Sequence, residues 1–382
     1  MTLPFMRWWQ RAAAWVRPRV TVGVDLLLMQ PRGANGGVKP LVFSFLQEIQ
    51  RAEGRRFRFV FFASAELAPE LQPLLRPGDR RCAGMEAAPH LDVLYAPFGR
   101  STLMRPGVPT VSLIVDLLHR DLPSALPIEE VNYRHEWFGQ IAQAATSFQC
   151  ISHYTAGRLQ AHYDVDPAKI FVTHLPVHRR LETASELARA VASPVPGPFF
   201  FYPANFWPHK NHETLIEAYR IYHDTAGASA WPLVFTGHAD ARMETLKELV
   251  TRSDLSGQVI FLGHLEDAQF AAVWHAAGAL VYPSLHEGFG IPLLEAMAFG
   301  CPIVASDATS LPEVGGDACI YVDPRDARAL AAALRQIANE PRLREDYVSR
   351  GHRRLAEFSL PREAAMLSQH LVAAALHRSA PR

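Results

Sequence analysis

The sequence predicts an α/β protein of two doubly wound units that face each other across a cleft. Three observations carry that expectation. Runs rich in β-branched and aromatic residues alternate with stretches of helical periodicity from residue 19 onward. The alternation is interrupted by Ala192-Ser-Pro194-Val-Pro196-Gly197-Pro198, then starts afresh. At 382 residues, the chain is also longer than one hydrophobic core usually serves.

In the first unit, Arg19-Val-Thr-Val-Gly-Val-Asp25 reads as strand one, followed by the loop Gly33-Ala-Asn-Gly36-Gly37. Pro40 to Arg51 places Leu41, Val42, Phe45, Leu46 and Ile49 at helical spacing. Strand-like runs follow at 57–63, 91–95, 110–115, 147–151 and 170–173, with helical stretches between several of them. Three prolines and a glycine within residues 192–198 form a stiff linker. The second unit reads as strands at 199–202, 233–236, 259–262, 279–282 and 302–306, separated by helices at 213–223, 241–251 and 267–276 and from Pro292. The expected domains are therefore 1–191 with a leader over 1–18, and 199–360. A final helix over 361–382, parted from its predecessor by Pro361, is expected to pack back on the first domain.

Apolar residues make up 49% of the chain and charged residues 20%, enough apolar side chain to fill two cores. The formal charge is zero, which argues against nucleic acid as a partner, because phosphate neutralisation needs a basic excess. Residues 1–60 nevertheless carry ten Arg or Lys against Asp25, Glu48 and Glu53, a surplus of seven. Arg7, Trp8, Trp9, Arg11, Trp15 and Arg17 lie in the leader. Two readings of residues 1–17 stand: a peripheral helix in an anionic membrane interface, or a segment packed on the first domain. Cys82, Cys150, Cys301 and Cys319 make no C-x-x-C pair, so neither a zinc site nor a disulfide framework is expected, and a cytoplasmic setting fits.

The segment from Tyr282 to Ser306 reads as strand, glycine loop, helix, strand. Pro292 suits a first helical turn and Gly300 a helix stop. Gly288 and Gly290 let backbone approach a ligand, and the free amides of the helix start favour an anion or a sugar hydroxyl. Glu287 precedes the helix and Glu295 lies a turn into it, so both carboxylates can face one cavity and accept from vicinal hydroxyls. After the first strand of the second unit comes Asn205-Phe-Trp207-Pro208-His-Lys210-Asn211-His212, whose lysine stands in the loop that should open on the cleft.

Glu287-Gly-Phe-Gly-Ile-Pro-Leu-Leu-Glu295-Ala-Met-Ala-Phe-Gly300 resembles the E-x7-E signature of retaining GT-B glycosyltransferases, particularly the GT4 family. The resemblance implies Glu287, Phe289 and Gly290 at the transferred sugar, and Glu295 on the ribose with Leu294 beside it. Lys210 matches the lysine of the family's Arg-x4-Lys pair on the donor phosphates, while Asn205 stands where many members have Arg. On that basis the Lys210 charge should meet phosphate rather than a partner in the core. Gly237, and His264 with Leu265, match family loops near the phosphates and the base. Gly36 and Gly37 resemble the glycine loop over the diphosphate, although a plain turn competes. Asp116-Leu-Leu-His119 looks like a segment whose histidine lies by the reacting sugar, making His119, Lys210 and Glu287 the implied catalytic residues. Ser152-His-Tyr154-Thr155 resembles a loop facing the cleft, and Glu313 fits a family position of structural character.

The implied activity is retaining transfer of a hexose, with mannose from GDP-mannose the leaning, to a saccharide or lipid-linked acceptor. Cell-surface polysaccharide or lipopolysaccharide synthesis would be the setting. A nucleotide-sugar-binding partner subunit without turnover is the alternative. The nucleotide sugar is a substrate, and no cofactor or metal is expected. Asp164-Val-Asp166 is a nominal D-x-D, but it reads as a helix-to-strand connection in which Asp166 caps a turn before Pro167.

Overall fold

The computed structural model describes residues 19–31, 37–85, 90–177 and 191–377. The leader and most of the first glycine loop, Gly33 and Gly36 included, lie outside the described residues. Two parallel sheets form. The first holds β1 (Val20–Asp25), β2 (Phe57–Phe62), β3 (Arg80–Cys82), β4 (Val93–Ala96), β5 (Thr110–Ile114), β6 (Ser147–Cys150) and β7 (Ile170–Val172), in the order β3-β2-β1-β4-β5-β6-β7. The second holds β8 (Phe200–Pro203), β9 (Leu233–Thr236), β10 (Val259–Phe261), β11 (Ala279–Tyr282), β12 (Ile303–Ser306) and β13 (Cys319–Val322), in the order β10-β9-β8-β11-β12-β13.

Both sheets share one topology: the chain runs outward from the first strand, then crosses back to its other side. The switch points fall between β1 and β4 and between β8 and β11. Loops at the carboxyl ends of the two flanking strands diverge there and leave a crevice, which is where such sheets hold ligands.

Sequence explains why these elements form. Strands buried on both faces need near-continuous apolar runs, and β4, β5, β9, β11 and β12 are buried at every residue. Phe57, Phe59 and Phe61 of β2 stack at 5.9 Å intervals along one sheet face. Helices α1 (Val38–Glu53), α2 (Ile128–Ala144) and α3 (His153–Tyr163) belong to the first unit. The second unit contains α4 (His212–Ala226), α5 (Ala241–Arg252), α6 (Asp267–Ala276), α7 (Ile291–Ala298), α8 (Leu311–Gly315), α9 (Ala327–Asn339) and α10 (Pro341–Leu355). The α7 boundaries follow local chemistry: Gly290 enters the helix at φ 105°, Pro292 occupies its first turn, and Gly300 leaves at φ 63°.

The last helix, α11 (Leu360–His377), returns to the first sheet and packs on α1. Leu367 and Leu371 are fully buried there, and the Ser368 hydroxyl donates to Glu53 at 2.7 Å. It starts at Leu360, with Pro361 inside its first turn. Two strands escape sequence reading: β3, three residues with two exposed arginines, and β13, four residues set between helices. Asp166 accepts from the Ala168 amide at 2.9 Å and caps a short 3-10 turn. Among the described residues no helix is long and apolar enough to cross a membrane.

Candidate active site

The second sheet's switch point brings two predicted residues together. Lys210 follows β8, Glu287 follows β11, and these strands are neighbours, so their loops meet. Lys210 Nζ donates to Glu287 Oε1 at 2.6 Å, and the Tyr282 hydroxyl donates to the same oxygen at 2.8 Å. Each loop is fixed from behind. Tyr202 donates to the Lys210 carbonyl at 2.6 Å, and Asn211, at φ 62°, ties the Lys210 loop to the carbonyls of Pro283 and Pro324. The Glu287 amide donates to Thr309 Oγ1 at 3.1 Å, and the Ser310 hydroxyl bonds the carbonyls of Glu287 and Phe289. Thr309 holds φ 57°, an unfavourable conformation for a β-branched residue, and it sits where it fixes a site amide.

Lys210 therefore has a buried carboxylate partner, which corrects the expectation that its charge answers only to phosphate. Both side chains are about one-tenth exposed. Burial alone would push the Glu287 carboxyl up, but the Lys210 charge, His209 and hydrogen bonds from Lys210 and Ser284 together outweigh it. The group stays below its ordinary value. Glu295 is buried one turn into α7, whereas the Leu294 side chain is fully buried in the core.

The other predicted donor residues lie along the same sheet edge. Asn205 Oδ1 accepts from the His238 amide at 3.0 Å, linking the loops after β8 and β9. Gly237 packs on Ala204 and Asn205 too closely for any side chain. His264 stacks on His238 at 4.4 Å, while Leu265 is half-buried against the core. Gly37 opens α1, and a Cβ there would lie 3.0 Å from Ile291 at the start of α7, so the first unit reaches α7 at this point.

His119 is placed differently from expectation. Its ring stacks on Phe138 at 4.7 Å, its Nε2 lies 2.7 Å from the Tyr163 hydroxyl, and it is 2% exposed. These contacts pack its ring into the core of the first unit. The residue that reaches across is two positions on. Asp121 lies 3.0 Å from His286 Nε2, the neighbour of Glu287, and both side chains are under one-tenth exposed. Asp121 also accepts from Tyr154 at 3.0 Å and Arg158 Nε at 2.7 Å, and lies 2.9 Å from His162 Nε2. Burial raises its carboxyl, yet the bonds from His286, His162, Arg158 and Tyr154 together hold it well below the usual range.

Further contacts cross the cleft. A Cβ on Gly288 would overlap the Val115 carbonyl oxygen at the end of β5. The Ser152 hydroxyl donates to the Gly288 carbonyl at 2.7 Å. Glu313 of α8 accepts from the amides of His153 and Tyr154 at 2.7 and 2.9 Å, capping α3 from the opposite unit. Gly288 is thus required by closure of the two units, where sequence reasoning assigned its small size to ligand approach. His209 was also missed. It lies within electrostatic reach of Lys210, Glu287, Asp116 and His286, and burial first, then Lys210, lower its pKa to about 4.

Two expectations follow. Lys210→Met strips the buried Glu287 carboxylate of its counter-charge, a change that typically costs about 3–5 kcal/mol. Denaturation at pH 7 should show that loss beside lost turnover, with part of the stability recovered in Lys210→Met/Glu287→Gln. A stability within about 1 kcal/mol of wild type would place the pair at the solvent-screened extreme instead. The second concerns pH. Burial lowers His119 and His209 to about 4 and His212 to about 3, against an ordinary 6.5. Between those values the unfolded chain binds more protons than the fold, so stability present above pH 6.5 should fall as pH drops toward 4. Both His212 ring nitrogens are buried without a hydrogen-bond partner among the described residues, and Tyr202, Phe206 and Phe235 surround the ring. His212→Phe should flatten the pH slope of the denaturation midpoint; an unchanged slope would contradict the assignment.

Part of the chain is similar to known proteins. Residues 184–354, which include Asn205, Lys210, Glu287 and Glu295, match the family described as glycosyl transferases group 1. The chain is 36% identical over 161 residues to O-antigen chain mannosyltransferase B of Escherichia coli, covering 42% of each protein. It is 27% identical over 221 residues to O-antigen chain mannosyltransferase RfbU of Salmonella typhimurium, covering 58% of each. The chain thus spans about half the length of the curated relatives it matches. Anabaena HepE, solved in complex with UDP and glucose, superposes with a TM-score of 0.68 at 17% identity, over 93% of this chain and 100% of that one. Over residues 184–354 the chain is thus similar to the group 1 glycosyltransferases, and its two parallel-sheet domains have the GT-B-like fold of its structural neighbours.

Proposed function

We propose that the protein is a retaining glycosyltransferase that moves mannose from GDP-mannose to a saccharide or lipid-linked acceptor in cell-surface polysaccharide synthesis. The observation that carries the reading is the Lys210–Glu287 pair at the second sheet's switch point, with Glu295 buried one turn along α7. The mannosyltransferase names of the two curated relatives support the sugar.

The reaction breaks the bond between the anomeric carbon and the diphosphate, so negative charge grows on phosphate while positive charge grows on the sugar ring. Lys210 and the amides opening α7 stabilise the leaving diphosphate by preorganised electrostatics. Glu287, held ionised, accepts from the sugar hydroxyls, and Glu295 accepts from the ribose hydroxyls. Entry of phosphate draws Lys210 from one anion toward another, which the shared buried site allows without exposing a lone charge. On the opposite wall, a cavity of about 210 Å³ opens at the ends of β4 and β5, lined by Arg100, Asp116, Tyr133 and Trp137 among others. Aromatic rings and charged groups there suit an acceptor saccharide. The contacts closing the cleft exclude the water that would hydrolyse the donor. Residues 1–17, basic and rich in tryptophan, fit a peripheral contact with the cytoplasmic face of a membrane.

A thermal-shift panel of nucleoside diphosphates and nucleotide sugars tests the donor, because a tight ligand raises the melting temperature by mass action. GDP and GDP-mannose should give the largest shifts, and folded Glu295→Ala should lose most of them. Preference for another nucleotide would overturn the donor, and unchanged shifts in Glu295→Ala would remove that residue from the ribose site.

A further inference from the structure

Outside the donor site, three metal-ligating side chains converge on the seam between the units. His153 opens α3, His174 follows β7, and Glu313 comes from α8 of the second unit. One ligand atom from each lies within 4.8 Å of the others. His174 Nε2 is 2.9 Å from Glu313 Oε1, and the two imidazoles meet edge to face with centroids 5.7 Å apart. We propose that His153, His174 and Glu313 form a zinc-class metal site whose occupation clamps the two units together.

The chemistry favours a borderline cation. Two imidazoles and one carboxylate suit Zn²⁺ or Ni²⁺, whereas Mg²⁺ requires more oxygen ligands. Tetrahedral Zn²⁺ places its ligand atoms about 3.3 Å apart, given bonds of about 2.0–2.1 Å. His174 and Glu313 need only open their hydrogen bond slightly, and exposed His153 has room to swing inward.

The surroundings already orient these ligands. Glu313 is aimed by the amides of His153 and Tyr154; Oε2 retains a second lone pair, and Oε1 regains one when its contact with His174 opens. The His174 amide donates to Glu363 at 3.0 Å, and its ring lies against Phe289 and Phe358, centroids 5.9 and 5.6 Å away. These contacts restrict the movement of the His174 backbone and ring. Two ligands belong to one unit and the third to the other, so a bound ion would oppose opening of the cleft. The ion acts as a brake on the conformational cycle and not as a reactant. Its binding does not depend on the donor or acceptor reading.

The test titrates the full-length protein with Zn²⁺ against a competing zinc indicator. Alongside run His153→Ala, at an exposed position where folding is not at stake, and His174→Gln. Wild type should bind one zinc more than either variant, or bind it at least about tenfold more tightly. Zn²⁺ and Ni²⁺, but not Mg²⁺, should raise the wild-type melting temperature, and the His153→Ala rise should be smaller. In turnover assays Zn²⁺ should slow wild type more than His153→Ala, with a chelator restoring the rate. Equal zinc affinity and stoichiometry in wild type and both variants would overturn the site. Tight binding with no effect on turnover would overturn the clamp.

Discussion

The loop after β11 packs so closely on the end of β5 that a Cβ on Gly288 would overlap the Val115 carbonyl oxygen. Neither residue makes this contact by side-chain chemistry. The end of β5 presents a carbonyl, and the loop after β11 lies against it because position 288 carries no Cβ. Around this point the cleft is stitched by polar groups: Ser152 on the Gly288 carbonyl, Glu313 on the start of α3, and Asp121 against His286. Glu287 lies between His286 and Gly288 in sequence, so its carboxylate takes its position from both units.

The electrostatics of the cleft follow from that burial. An isolated buried charge is costly, and the charged groups here have partners. Lys210 answers Glu287, Asp121 is surrounded by four donor side chains, and Glu313 takes two amides and His174. Histidines without such partners are held neutral by burial: His119, and His209 and His212, where the Lys210 charge adds to it. The site therefore presents an ionised Glu287 paired with Lys210, inside walls that disfavour stray charge.

Much of this was legible in the sequence because it is local. Strand runs bounded by glycine and proline, the turn chemistry of Gly290 and Pro292, and the spacing from Glu287 to Glu295 all act within one βα unit. The resemblance to E-x7-E enzymes rests on that same local segment. What the sequence did not disclose depends on how the two units meet. Gly288 read as room for a ligand because its neighbour Val115 belongs to the other unit, far away along the chain. His119 attracted attention as a histidine after a strand, yet its ring turns inward onto Phe138, and plain Asp121 spans the seam. Lys210 reads as a cation for phosphate alone because the adjacency of β8 and β11, which delivers Glu287 to it, is a property of the sheet order.

The most direct measurement of this account is the Gly288→Ala variant, assayed separately for nucleotide binding and for transfer. The substitution should leave the donor-side fold intact, so nucleoside diphosphate affinity should stay within a few-fold of wild type. The added methyl would overlap the Val115 carbonyl and hold the units apart, displacing the acceptor wall from the donor. A misplacement of about 1 Å can cost about 100-fold in rate, and the transfer rate should fall on that order. Transfer at the wild-type rate by this variant, with nucleotide bound, would contradict the claim that this seam assembles the active site.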